Sequence, residues 1–327
     1  MSQLISAIKK VIPFKKELVS IRDAVVGRER RVNYGHDNPD KTFYVIGMND
    51  PGGGLFWLVN KVVMHIAYAV DRGYIPVVDF KNYVTQYTEK GEEGKVNVWE
   101  LFFLQPAGYD LDDIKHSKNV IICKKAPAPR KKYLMGQVEF YSQPERIAYF
   151  RGLFKKYIKP NEHTSEHLRD MKSRLLGNGE RTVGVLCRGT DYVSLKPKGH
   201  FVQPALDDVI SDVRKAMRQY SCTKVFIATE DEDILETFKA EFGDGLRYVE
   251  QRRVRGSEMA KGLFLAEENR LDSHRNPKDD AIKYLSAIYL LTQCQCFIGG
   301  RTGGAKGVLL MSDGFEYQKL YDLGFYK

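Results

Sequence analysis

Three short segments of this 327-residue chain carry side chains suited to holding a phosphorylated ligand. The first, Val185-Leu186-Cys187-Arg188-Gly189-Thr190-Asp191-Tyr192, sets an arginine at the end of an apolar run, followed by glycine, threonine and aspartate. Arginine grips phosphate through paired, charge-assisted hydrogen bonds, Gly189 lets backbone approach a ligand, and Thr190 can donate a further bond. The competing reading pairs Arg188 with Asp191 across a turn.

The second segment is Ile227-Ala228-Thr229-Glu230-Asp231-Glu232-Asp233. A carboxylate at a strand end accepts bonds from ribose hydroxyls or a base edge, which makes Glu230 and Asp231, with Thr229 beside them, candidates for nucleoside recognition. Thr229 or Asp231 also caps the helix that follows. Asp231 and Asp233 alternatively form a D-x-D that holds a divalent cation beside a diphosphate. The third segment, Phe297 to Gly307, runs through Gly299-Gly300-Arg301-Thr302-Gly303-Gly304-Ala305-Lys306 into a helix. Amides at a helix start, approachable at Gly303 and Gly304 and reinforced by Arg301, Thr302 and Lys306, form an anion site. The spacing of a Walker A loop is absent. A fourth loop, Asn49-Asp50-Pro51-Gly52-Gly53-Gly54, is read either as a tight turn or as one lip of a cleft.

The elements that position these segments alternate. Phe43 to Ile46 reads as a strand, Leu55 to Val70 as an apolar helix and Tyr74 to Phe80 as a second strand, a β-α-β unit. Val98 to Leu104 reads as a short helix and Asn119 to Cys123 as a strand. The Lys124 to Lys132 stretch, with two prolines, reads as an exposed basic loop. Helices follow at Pro144 to Tyr157 and Glu162 to Leu176, and Gly177-Asn178-Gly179-Glu180 marks a domain boundary. Beyond it the spacing predicts strands at Thr182 to Cys187, Lys224 to Ala228, Arg247 to Glu250 and Cys296 to Ile298. Helices are expected at Gln203 to Gln219, Glu232 to Phe242, Lys278 to Gln293 and Gly303 to Met311. Such alternation specifies parallel sheets flanked by helices, with ligands beyond the carboxyl ends of the strands.

Hydrophobic residues make up 43% and charged residues 28%, the composition of a globular protein large enough for two domains. Lys and Arg number 51 against 42 Asp and Glu, a net charge of +9 that favours acidic partners such as nucleotides or anionic membrane surfaces. Acidic residues interrupt the basic stretches and no nucleic-acid signature is present, so nucleic acid is not an expected partner. Five cysteines without zinc spacing fit a reduced cytosolic protein, and no apolar run is long enough to span a bilayer. Residues 1–33 set Leu4, Ile5, Ile8, Val11 and Ile12 at helical spacing among basic residues. This segment either lies on an anionic membrane or packs its stripe on the body of the protein. Tyr83, Tyr87, Trp57 and Trp99 are available to stack on sugar rings or to pack in a core.

These segments resemble the GDP-fucose-dependent fucosyltransferase superfamily, which includes α1,2-, α1,6- and protein O-fucosyltransferases with a GT-B arrangement. Val183 to Asp191 resembles its V-G-V-H-x-R-x-T/G-D segment, in which the arginine grips the donor pyrophosphate. Phe226 to Asp231 is similar to its L-A-T-D-D segment, and Tyr289 to Gly299 resembles the helix and strand before its donor-phosphate loop. Asn49 to Leu55 resembles the glycine loop that faces donor and acceptor, and Asn97 to Phe103 resembles members of bacterial polysaccharide clusters. The resemblance spans roughly residues 42 to 312. Leu186 stands where the superfamily often has histidine, Ala287 where some members have aspartate, and Gly52 where some O-fucosyltransferases carry a glutamate base.

The resemblance implies an α/β, GT-B-like fold with two Rossmann-like domains facing across a cleft. A basic helical segment over 1–41, an acceptor-side domain over 42–178 and a donor domain over 179–327 are expected. It implies an inverting glycosyltransferase that moves a sugar from a nucleoside diphosphate, GDP-fucose favoured, to a glycan or lipid-linked oligosaccharide hydroxyl in surface polysaccharide synthesis. No metal and no cofactor beyond the nucleotide-sugar co-substrate are expected. Arg188 would offset charge on the departing diphosphate, Thr302, Gly303 and Gly304 would add donors, and Asp50 would act as base. The expected location is the cytoplasm, with contact at the inner membrane face through residues 1–33. A metal-dependent transferase using Asp231 and Asp233, and a noncatalytic module binding nucleotides or anionic polymers, are the alternatives.

Overall fold

The computed structural model describes residues 29–123, 131–177, 179–256, 265, 272 and 275–327. Residues 1–28, the basic stretch 124–130 and the side chain of Asp191 lie outside it, and with them most of the expected membrane segment 1–33 and of the expected basic loop 124–132. The first half runs β1 (Arg30–Val32), β2 (Phe43–Ile46), α1 (Leu55–Val70), β3 (Ile75–Val78), a 3₁₀ turn at Val98–Leu101, α2 (Leu111–Ile114) and β4 (Val120–Ile122). Three helices follow, α3 (Gln137–Ser142), α4 (Pro144–Tyr157) and α5 (Glu162–Leu176). The second half runs β5 (Thr182–Leu186), α6 (Thr190–Leu195), α7 (Leu206–Gln219), β6 (Lys224–Ala228), α8 (Glu232–Phe242), β7 (Leu246–Tyr248), α9 (Pro277–Leu291), β8 (Cys296–Gly300), α10 (Gly303–Met311) and β9 (Tyr317–Tyr321).

The α/β architecture expected from the sequence is the one found. Strands such as β2 and β5 are apolar without alternation because both faces are covered, and every residue of each is buried. The first sheet has the order β1-β4-β2-β3 and the second β7-β6-β5-β8-β9. All pairings are parallel except that of β1 with β4. In each sheet the chain leaves a central strand in one direction and later returns to its other side. From β2 it passes to β3, and β4 then lies opposite; from β5 it passes to β6, and β8 then lies opposite. A crevice opens at such reversals, beyond the carboxyl ends of the strands.

Several sequence expectations shift for identifiable reasons. Arg30–Val32, inside the segment expected to be helical, is a strand, because β4 offers it an otherwise unpaired edge. Helix α7 starts at Leu206 and not at Gln203, since Pro204 disfavours helical backbone in the residue before it. The expected helix at Val98 to Leu104 is one 3₁₀ turn, Val98–Leu101. Strand β9 has no counterpart in the sequence reading.

Helix α1 is buried on nearly every side, from Leu55 and Phe56 through Val62, His65 and Ala69. A helix of that kind needs partners all round. Its own sheet covers one side, and α4 and α10 cover the rest, so one hydrophobic cluster runs from Tyr44 and Ile46 through Phe56 and Val62 to Leu291, Phe297 and Val308. A second cluster, with Val209, Val213, Leu235 and Phe238, covers the far face of the second sheet. Helices α4 and α5 precede the Gly177 break yet pack on the second half. Arg151 Nε donates to the Leu309 carbonyl at 2.9 Å, and His167 Nε2 and Ser286 Oγ are 3.1 Å apart.

Close approach of α1 to α10 depends on Gly307: a Cβ there would stand 2.3 Å from Phe56 Cδ1 and 3.0 Å from its Cγ. The whole buried ring would have to move. Gly307→Val is expected to lower unfolding free energy by about 1–3 kcal/mol, read from the urea midpoint at unchanged slope.

Candidate functional site

At the ends of β5 and β6, two carboxylates build the loop that carries Arg188. Glu230 Oε1 accepts from Gly189 N at 2.9 Å and from Thr190 Oγ1 at 3.0 Å, and lies 3.4 Å from Arg188 Nε. Asp231 Oδ2 accepts from Thr190 N at 2.9 Å, while its Oδ1 caps α8 by accepting from Asp233 N at 2.9 Å and Ile234 N at 3.2 Å. Thr190 has φ +42, a left-handed conformation that a β-branched residue adopts only when its surroundings impose it. The two carboxylates impose it here. Gly189 is required by close approach, since a Cβ would fall 2.3 Å from Asp231 Oδ2 and 2.8 Å from its Cβ. Thr229 Oγ1 accepts from Asp231 N at 3.2 Å, which completes the turn.

Arg188 therefore pairs with Glu230, and its guanidinium carbon stands 4.9 Å from the centre of the Tyr192 ring. The D-x-D reading finds its carboxylates committed elsewhere: Asp231 to three backbone amides, Asp233 to an ion pair with Arg255. Among the described residues no group of three or more His, Cys, Asp or Glu side chains is placed to hold a metal ion.

At the end of β8, Thr302 caps α10 by accepting from Ala305 N at 3.1 Å, and its carbonyl accepts from Tyr141 Oη at 2.7 Å. Gly304 lies against Tyr284 and the last residue of β5: a Cβ on it would stand 2.6 Å from Tyr284 Oη and 3.6 Å from Leu186 Cδ2. Burial pushes the Tyr284 hydroxyl up to about 12, with Arg188 pulling it down and Glu230 pushing it up. The two basic residues of this run face elsewhere. Arg301 Nη1 meets Asp322 Oδ1 at 2.7 Å, its guanidinium lying over the Tyr141 and Phe201 rings. Lys306 Nζ donates to the Met135 carbonyl at 2.8 Å. Beside the loop, Arg301 Nε and Gln203 Oε1 are buried without a hydrogen-bond partner among the described residues.

The glycine loop of the first half meets this cradle. Asn60 Nδ2 donates to the Gly303 carbonyl at 3.2 Å, and a Cβ on Gly303 would come within 4.0 Å of Trp57 N. Asp50 Oδ2 accepts from Trp57 Nε1 at 2.8 Å and Lys61 Nζ at 2.5 Å. Gly52 is open to solvent, Gly53 packs against Trp57 and Asp50, and the Gly53 carbonyl accepts from Gln86 Nε2 at 2.8 Å. Gly54 is the N-cap of α1, with no side chain closing the first turn.

The structure thus brings Arg188, Gly189, Thr190, Thr302, Gly303 and Gly304 to adjacent strand ends, and sets the Asp50 to Gly54 loop beside them. Glu230, Asp231 and Thr229 buttress the loop of Arg188, Gly189 and Thr190 from within the protein. Sequence reasoning missed Asn60, Lys61, Tyr141, Gln203 and Tyr284. Asn60 had a signal, a polar residue inside the apolar run of α1; the tyrosines had none.

Fold and site together define a two-sheet α/β protein with an arginine and a glycine-rich helix start side by side where its second sheet reverses. No protein-family model matches the chain, and no curated protein sequence matches it. Among solved structures, the fucosyltransferase NodZ from Bradyrhizobium is similar at 16% identity and TM-score 0.46, over 83% of this chain and 94% of that one. The NodZ alpha-1,6-fucosyltransferase soaked with GDP-fucose is similar at 17% identity and TM-score 0.47, over 83% and 93% of the two chains. POFUT1 in complex with GDP is similar at 11% identity and TM-score 0.48, over 86% and 99%.

Gly189→Ala is expected to destabilise the protein by about 1–3 kcal/mol, measured by chemical denaturation, because the added methyl displaces Asp231 from both helix α8 and Thr190. Lys306 gives a pH test. Burial holds its ammonium down at about 8 against a usual 10.5. Over that interval the unfolded chain binds more protons than the native one, so this residue's contribution to stability rises with pH. The stability of the native sequence minus that of Lys306→Met is expected to climb by about 2–3 kcal/mol between these limits, in paired denaturation curves.

Proposed function

We propose that this protein is an inverting glycosyltransferase that moves a sugar from a nucleoside diphosphate, GDP-fucose first among candidates, to a glycan hydroxyl. The observation that carries the reading is the placement of Arg188, held by Glu230 at the end of β5, beside the amide-rich start of α10 at the end of β8. That is the reversal point of the second sheet, where backbone amides and a fixed cation converge on one anion. The choice of donor follows the resemblance of the Val183 to Asp191 and Phe226 to Asp231 segments to fucosyltransferases.

As the bond between sugar and diphosphate breaks, negative charge grows on the departing oxygen. Arg188 and the amides of Gly303 and Gly304 offset it from positions already set, so no reorganisation opposes the reaction. The acceptor hydroxyl attacks the opposite face of the sugar and releases its proton to Asp50, whose Oδ2 is steadied by Trp57 and Lys61. Residues 179–327 form the donor side in this reading and residues 42–178 the acceptor side. The work belongs to surface polysaccharide synthesis on lipid-linked or free glycans at the cytoplasmic membrane face. No helix among the described residues is long and apolar enough to cross a membrane.

Thermal stabilisation by GDP, UDP, CDP and ADP, each with and without EDTA, tests the reading. GDP is expected to stabilise selectively and regardless of EDTA, with the effect lost in Arg188→Ala. The same substitution is expected to slow transfer at least thirtyfold, about 2 kcal/mol in the barrier. Near-normal turnover of Arg188→Ala would falsify the clamp.

A further inference from the structure

Of the four aromatic residues that the sequence offered as sugar platforms, the structure separates one. Tyr87 and Trp99 are core residues and Tyr83 is half-buried, whereas Trp57 is 53% exposed. An exposed tryptophan on a mobile side chain would mean little. This one is held from several sides: Nε1 donates to Asp50 Oδ2 at 2.8 Å, and Lys61 Nζ stands 4.5 Å from the ring centre. Lys61 Nζ also bonds Asp50 Oδ2 at 2.5 Å, and Gly53 lies so close to Cδ1 that a Cβ there would stand 2.4 Å away. Lys61 stands over one face of the ring, and about half of the residue's surface stays open to solvent.

We propose that the exposed face of Trp57 is the platform of a glycan subsite, taking a pyranose ring that presents a flat face of axial C–H bonds. The proposal rests on the reading that the crevice handles sugar-bearing substrates, and it names the acceptor side of that crevice. Pyranose C–H bonds carry slight positive charge, and an aromatic face carries the negative part of the ring quadrupole, so the two attract while both lose water. The lysine on the covered face cannot serve that purpose, but it fixes the ring and holds Asp50 at its edge. A sugar on the open face has Asp50 within the same loop to accept from its hydroxyls. The backbone of Trp57 borders Gly303, which sets the stacked ring at the rim of the anion cradle.

The protein has two tryptophans, and Trp99 is buried with its Nε1 bonded to the Leu104 carbonyl at 3.0 Å. Acrylamide quenching of fluorescence therefore reads Trp57. Cellotetraose, whose rings are equatorially substituted, is the probe, and sorbitol, which has no ring, is the control, each up to about 10 mM. Saturable protection by cellotetraose and not by sorbitol is expected. Ligand-observed NMR should show affinity weakened about tenfold in Trp57→Ala and substantially recovered in Trp57→Phe. Stabilisation by GDP should persist in both variants. Quenching unchanged by cellotetraose, or affinity unchanged in Trp57→Ala, overturns the platform even where GDP binds. Protection by cellotetraose without any response to GDP supports the platform and refutes the donor reading instead.

Discussion

Phe56 seated on the bare backbone of Gly307 holds helices α1 and α10 at a separation that a side chain at 307 would not allow while the ring stays in place. Both helices begin just beyond the carboxyl end of a central strand, α1 after β2 and α10 after β8. Their close packing therefore brings the loops before them together, and Asn60 ties the arrangement by bonding the Gly303 carbonyl. Partial positive charge at the starts of the helices then gathers near one region of the surface. The meeting of these loops is a product of how two apolar helices fit, and the polar residues beside them are placed by that fit.

Arg188 is positioned by a different means. Its loop follows a strand directly, with only the short helix α6 behind it, and it keeps its shape through Glu230 and Asp231. These carboxylates act inward. Between them they satisfy the amides of Gly189 and Thr190, which a buried loop would otherwise leave without partners, and the left-handed Thr190 is the conformation that results. Rotational freedom at Gly189 is thereby removed, and the side chain of Arg188 is held from a loop of fixed shape.

Much of this was legible in residue order. The apolar runs of β2, β5 and β6 lack alternation because both faces are covered, and α1 starts where the glycines stop at Gly54 and ends at Val70. The strand ends were therefore identifiable, and with them Arg188, Thr302 and the Asp50 loop. What escaped depends on distant partners. Strands β1 and β9 are short segments whose pairing requires an edge supplied elsewhere in the fold. Arg301 reads as a phosphate ligand until β9 brings Asp322 to it, and Glu230 reads as a ribose acceptor until Gly189 and Thr190 occupy its Oε1. Gly189 and Gly307 could be seen as glycines, but the groups that crowd them come from other elements.

The common core that runs from Tyr44 to Phe297 has a consequence for how such a chain can change over evolutionary time. Proteins whose halves meet only through a linker can exchange one half for another in a single recombination. Here the turn at Gly177 and Gly179 separates the sheets, but helices α4 and α5 on one side of it finish the packing of α9 and α10 on the other. A chain cut at that turn would leave both pieces with a broad apolar face toward water, and each would aggregate before it could meet a foreign partner. The two sheets share that interior and lean on each other for it. Changes that leave such an interior intact are point substitutions and loop changes at the strand ends, away from the packing of α1, α4, α9 and α10.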